Sequence, residues 1–246
     1  MDRPRDLVRF YGLLDQLVLR IGGPRHLAQC HGRQGWPARG VYLFFELGEV
    51  RSDSGTGPRV IRVGTHGLTE GSRSSLWGRL SQHRGTSRTK GGNHRGSIFR
   101  LLVGAALQAN GDVASCGSWG RKATLREAAH HLSQSAEDIK GGEFPIEMAV
   151  SAYLAATSFL WIDVPDAPGP QSRRGTIERG AIALLSNLDK PPLDPPSADW
   201  LGSRNDRERV RRSGLWNNNH VDEPYDPAFL SILEECIAMT GHSSTA

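Results

Sequence analysis

The sequence predicts an α/β protein: a small, mainly antiparallel sheet of at least three strands with helices on its faces. Three observations carry this. Gly40–Glu46 reads G-V-Y-L-F-F-E and Arg59–Gly64 reads R-V-I-R-V-G, two short runs rich in aromatic and β-branched residues, as buried strands are. Gly48–Pro58 between them is a Gly/Ser/Asp/Pro stretch that supplies the backbone angles of a hairpin connection. A third strand-like run, Ser158–Val164, is closed off by Pro165 and Pro168 and is followed by a helical pattern over Arg173–Asn187.

Taken in order, the chain opens on Leu7, Phe10, Leu14, Leu17 and Ile21, one helical stripe stopped by Gly22-Gly23-Pro24. Pro24 is placed to open a second short helix reaching Cys30. After the hairpin, Leu76, Leu80 and His83 recur at helical spacing, with Ser72 or Ser74 available as the cap. Arg79 and His83, four residues apart, share one face of that helix. Residues 84–96, R-G-T-S-R-T-K-G-G-N-H-R-G, read as a basic loop. Ser97–Gln108 reads as a buried helix and Thr124–Ile139 as a polar one, while Phe144–Thr157 is of uncertain type. In the helix over Arg173–Asn187, Ile177, Ala181, Leu184 and Leu185 face inward and Glu178 stands near the start. Leu188–Pro196 is a proline-rich connector, and Asp226–Met239 carries a last amphipathic pattern.

Composition narrows the function. A chain of 246 residues can bury a real core. Its net charge of +4 leans mildly towards an acidic partner, but placement says more than the total. Between Gly71 and Gly111 there is no Asp or Glu, while Arg73, Arg79, Arg84, Arg88, Lys90, Arg95 and Arg100 all fall there. Nucleic acid is the expected partner, with Arg84, Arg88, Lys90 and Arg95 as candidate backbone contacts. Cys30, Cys116 and Cys236 have no C-x-x-C spacing, so neither a zinc site nor a disulfide framework is expected. No signal-peptide h-region opens the chain and no apolar run reaches membrane length. A cytoplasmic location without membrane contact is the expectation. Asn217–His220 lacks the separate hairpin histidine that an HNH nuclease needs.

The ordered set is a strand with Tyr42 in Gly40-Val41-Tyr42, a strand ending in Arg62-Val63-Gly64, a helix with Arg79 and His83, and a later helix with Glu178. It resembles the GIY-YIG nuclease superfamily. The resemblance spans roughly 40–187. It divides the chain into a core of 40–83 plus 158–187, an insertion of 84–157 and a C-terminal extension of 188–246, together one enlarged domain over 1–246. One departure stands out: Arg62 occupies the place of the second tyrosine.

What the resemblance implies is a DNA endonuclease leaving 5′-phosphate and 3′-hydroxyl ends. Its catalytic residues would be Tyr42, Arg79, His83 and Glu178, with Glu178 on the metal, Arg62 in support, and either Asn187 or Asn217 as the assisting asparagine. A single carboxylate cannot cage a Mg²⁺ ion, but it can hold one Mg²⁺ (or Mn²⁺) that keeps most of its waters. Arg79 offers a phosphate a planar, permanently charged fork, and His83 is within a turn to orient Tyr42 or relay its proton. The rival expectation is a non-catalytic nucleic-acid-binding module on the same fold, for which Arg62 would be the trace of a lost site.

Overall fold

Side-chain alternation along the strands decides the layering. In the computed structural model, which describes residues 2–241, the strands are β1 (Arg25–His26), β2 (Gly40–Val50), β3 (Pro58–Gly64) and β4 (Ser158–Asp163). They form one antiparallel sheet in the order β1-β4-β2-β3. Successive residues of a strand point to opposite faces. Val41, Leu43, Leu160 and Ile162 therefore enter one core, while Tyr42, Phe44, Phe159 and Trp161 enter another.

Helices α1 (Arg3–Ile21), α6 (Arg173–Leu185) and α8 (Phe229–Met239) close the first face with Leu7, Leu14, Ile177 and Leu233. Helices α2 (Leu76–Arg84), α3 (Ile98–Asn110) and α5 (Ala136–Ala156) close the second with Leu80, Phe99, Leu102 and Val150. Two shorter helices, α4 (Leu125–Leu132) and α7 (Glu208–Ser213), complete the set among the described residues. None of the described helices is long and apolar enough to cross a membrane.

Three local expectations are corrected and one open stretch is resolved. Pro24 opens no helix: Arg25 and His26 pair with Phe159 and Ser158, and a 3₁₀ turn over Leu27–Gln29 follows. This short strand covers the start of the outer edge of β4, which would otherwise be unpaired there. The cap of α2 is Ser75, whose hydroxyl accepts from the Gly78 amide at 3.0 Å. The stretch 124–139 is two helices broken at Ser133, which takes a left-handed φ of 52°. The stretch after Phe144, ambiguous by pattern, belongs to α5, which runs through Pro145 and buries Ile139, Ile146, Val150 and Leu154.

β3 is an edge strand, and the chain beyond α7 covers its free side. The Trp216 amide donates to the Ile61 carbonyl at 2.7 Å. The side chain of Asn217 continues the ladder: its oxygen accepts from the Val63 amide at 3.1 Å and its nitrogen donates to the Val63 carbonyl at 2.8 Å. A carboxamide carries the same donor and acceptor as a peptide unit, so one side chain here replaces a residue of a fifth strand.

Candidate functional site

The antiparallel register puts Tyr42 opposite Gly64 and Phe44 opposite Arg62. All four therefore share the face that α2 and α3 cover. Gly64 is required there, because a Cβ at this position would lie 2.4 Å from the Tyr42 hydroxyl oxygen. The phenol consequently rests flat over the glycine backbone, and its hydroxyl meets His83 Nε2 at 2.8 Å.

His83 is buried at the end of α2, its Nδ1 2.7 Å from Ser97 Oγ. That same oxygen caps α3 by accepting from the Arg100 amide at 3.3 Å. Burial first, and then the cations Arg79, Arg62 and Arg100, push the imidazole pKa well below its ordinary value. A neutral ring has one donor and one acceptor nitrogen, so Tyr42, His83 and Ser97 form a chain along which a proton can pass.

Arg62 lies in this core with 4% of its surface exposed. Its guanidinium stacks 4.8 Å from the centre of Phe99 and donates to the Trp216 carbonyl, while its Nε has no partner. Burial lowers its pKa, and the nearby Tyr42 oxygen acts in the opposite sense. Arginine nonetheless stays charged in proteins, which leaves a positive group beside the phenol. Arg79, one turn before His83, is half-buried. Its Nη1 donates to the Gly96 carbonyl at 2.9 Å and to Gln82 Oε1 at 3.0 Å.

Glu178 reaches the same place from the opposite side of the sheet. Thr65 directly follows β3; its hydroxyl donates to the Gly40 carbonyl at 2.8 Å and its amide donates to Glu178 Oε1 at 3.0 Å. Burial raises the carboxyl pKa, against the opposing charge of Arg62. No salt bridge involves Glu178 among the described residues, and its Oε2 accepts no protein hydrogen bond there.

Tyr42, Arg62, Arg79, Glu178 and Asn217 thus line a single cleft of about 410 Å³. Arg207 and the run Asn218-Asn219-His220 complete its wall. Sequence reasoning does not place this last group with Glu178. Its one signal is three consecutive asparagines before a histidine, a run suited to a tight polar loop. His220 holds a left-handed φ of 63° and pairs with Glu223 at 2.8 Å.

Other candidates lie elsewhere. Asn187 lies outside the cleft: its oxygen accepts from Arg3 at 2.8 Å and from the Leu193 amide at 3.0 Å, and its nitrogen donates to the Leu193 carbonyl. The basic stretch is also less free than its composition suggests. Arg95 is paired with Glu143 at 2.6 Å, and Arg100 is buried against Glu147 at 2.6 Å. Arg84 donates to the Cys30 carbonyl and lies over Trp77. Arg88 and Lys90 are exposed and make no ion pair among the described residues.

Among the described residues there is no group of three His, Cys, Asp or Glu side chains able to hold a metal ion. The cleft nevertheless fits a hard divalent cation. It presents one carboxylate oxygen without a protein partner, on a group that burial holds above its ordinary pKa, in a space wide enough for water. A divalent cation there would supply the missing counter-charge, and Mg²⁺ commonly binds through one or two carboxylates while keeping its waters.

Helices on both faces of an antiparallel sheet, with a tyrosine, two arginines and a glutamate gathered at one cleft, define an α/β protein. A family model of the GIY-YIG domain matches residues 1–243, and the chain belongs to the GIY-YIG domain family. That family indicates nuclease-type function, generally dependent on a divalent metal and directed at nucleic acid. No curated protein and no solved structure matches the chain significantly.

Proposed function

We propose that this protein is a metal-dependent DNA endonuclease working at the Tyr42–Glu178 cleft. The observation that carries the reading is convergence. Residues from β2, β3, α2 and α6, up to 136 positions apart in sequence, bring a phenol, two guanidiniums and an unpaired carboxylate oxygen to one opening.

Glu178 would hold Mg²⁺ or Mn²⁺, which when bound neutralises charge on a phosphate oxygen and acidifies coordinated water. The remaining work belongs to the chain. Arg79, anchored through Nη1 on Gly96, aims a fixed fork at a non-bridging phosphate oxygen. Tyr42 orients the attacking water, its own hydroxyl held by His83 and the His83 ring held in turn by Ser97. Arg62 adds positive charge beside the phenol where the second tyrosine of the family would stand. Asn217 serves as a positioning residue, since its carboxamide bonds both the amide and the carbonyl of Val63 on β3 and so holds the 218–220 loop at the cleft. Tight fixation matters because a misplacement of about 1 Å costs on the order of a hundredfold in rate.

The test is cleavage of supercoiled plasmid and of labelled oligonucleotides with Mg²⁺ or Mn²⁺, followed by end-group analysis. Metal-dependent cleavage giving 5′-phosphate and 3′-hydroxyl ends, lost in Tyr42→Phe, is the expected result. Salt-sensitive DNA binding without cleavage under any metal would establish the binding module instead, with Arg62 marking the lost tyrosine.

A further inference from the structure

A cavity of about 580 Å³ lies outside the candidate active cleft, between the 86–96 loop and the first half of α5. It is within the size range of small-molecule sites. Its floor is rigid and electrically closed. Arg95 forks onto Glu143 at 2.6 and 2.7 Å, and Glu147 takes His94 and Arg100 on separate oxygens. Burial alone would raise the Glu147 pKa, but the hydrogen bonds from His94 and Arg100 prevail and hold it below the ordinary value. The carboxylates of the floor are thus already paired with arginine or histidine, which leaves none there to hold a metal ion.

The walls carry neutral hydrogen-bonding groups instead: Thr86, Thr89, Asn93 and Thr124. The oxygen of Asn93 accepts from the Arg95 amide at 3.0 Å, while its nitrogen has no protein partner among the described residues. One aromatic ring completes the lining. Phe144 packs against Gly91, where a Cβ would come within 2.7 Å of the ring, yet the residue keeps 41% of its surface exposed. Lys140 at the rim, and Arg88 and Lys90 interleaved with the lining threonines, are exposed cations without ion pairs among the described residues.

A flat aromatic face, neutral donors and acceptors, and cations at the mouth are what a nucleobase and its flanking phosphates require. The distance from the candidate active cleft is short. Arg95 and Gly96 line the cavity, Ile98 lines the cleft, and Arg79 of the cleft bonds the Gly96 carbonyl. The segment 95–98 thus runs from one space to the other.

We propose that this cavity is a subsite for one unpaired nucleobase next to the phosphate held at the cleft, which rests on the nuclease reading of that cleft. A base within an intact duplex presents neither its face nor its pairing edge, so it enters only when unstacked. The substrate class that follows is DNA with an unpaired nucleotide beside the cut, as in single strands, gaps or flaps.

The experiment measures fluorescence anisotropy of a fluorescein-labelled single-stranded 20-mer, and of its blunt duplex, with the full chain in EDTA. Wild type, Phe144→Ala, Phe144→Trp and Asn93→Ala are compared, with thermal melting to confirm folding. Losing one base–aromatic stack is expected to weaken single-strand binding by about tenfold or more in Phe144→Ala. Duplex binding should stay within about twofold, and Phe144→Trp should restore the single-strand value. Unchanged single-strand affinity in a folded Phe144→Ala protein overturns the subsite, as does an equal loss on both substrates. The outcome is independent of cleavage. A selective single-strand loss in a protein that cuts nothing keeps the subsite and removes the nuclease, whereas normal cleavage with no effect at Phe144 does the reverse.

Discussion

Gly64→Ala is a probe of how the tyrosine is held. The added methyl would lie 2.4 Å from the Tyr42 oxygen, 2.5 Å from Cζ and 2.6 Å from Cε2. Ordinary separation between such atoms is roughly 3.5–4 Å, so the ring must retreat by about 1 Å. Tyr42 is fully buried between Phe44 and His83, whose centres lie 5.6 and 5.4 Å away and which are themselves fully buried. Overpacking of this kind costs about 1–3 kcal/mol, or roughly 2–4 °C of melting temperature per kcal/mol for a chain of this size. The displaced hydroxyl also leaves His83 Nε2, so plasmid cleavage should fall by on the order of a hundredfold. Tyr42→Phe is the comparison, since it removes only the hydroxyl: it leaves the buried His83 Nε2 unpaired, at about 1–3 kcal/mol, without displacing the ring. Full cleavage and an unchanged melting temperature in Gly64→Ala would show that the phenol is not held where the reaction needs it.

Three further outcomes follow from the same geometry. Arg100→Met should destabilise the protein by about 3–5 kcal/mol in urea unfolding, because it leaves Glu147 buried without its cation. Acid should weaken the fold through His66. Burial, then the charge of Arg174, lowers its pKa from 6.5 to about 4, so the unfolded chain binds a proton that the fold refuses. Stability is then full above pH 6.5 and declines towards pH 4 by about 1.4 kcal/mol per unit, about 3 kcal/mol in all, and His66→Asn should flatten that slope in pH-dependent melting. Replacing Arg88 and Lys90 together by Ala should reduce the salt slope of single-strand binding by roughly 0.7 for each phosphate no longer neutralised, with little change in melting temperature.

The sheet is legible in the sequence because its pattern is local. Continuous aromatic and β-branched runs bounded by turn residues identify β2, β3 and β4, and helical spacing marks α2 and α6. What escapes depends on partners distant in sequence. Arg95 and Arg100 read as a free basic field, yet their carboxylates stand 48 and 47 positions away on α5. The glycines and proline that make α5 illegible, Gly141, Gly142 and Pro145, are overridden by burial of one apolar stripe. Asn217 and Asn187 are indistinguishable as residues. Only the pairing of Asn217 with Val63, 154 positions earlier, puts one at the cleft while Arg3 and Leu193 hold the other elsewhere. The Arg62 substitution is visible in the sequence, but its stacking on Phe99 and its bond to Trp216 are not.

The most direct test of the central claim is the Mg²⁺-dependent rate of plasmid linearisation by Glu178→Gln beside wild type. The carboxamide keeps the acceptor for the Thr65 amide and removes a half-buried negative charge whose raised pKa marks it as unfavourable when ionised. The variant should therefore remain folded, melt no lower than wild type near neutral pH, and fail to cleave at any Mg²⁺ concentration. A folded Glu178→Gln protein that linearises plasmid at the wild-type rate would contradict the account, and the metal and the chemistry would have to be sought away from this cleft.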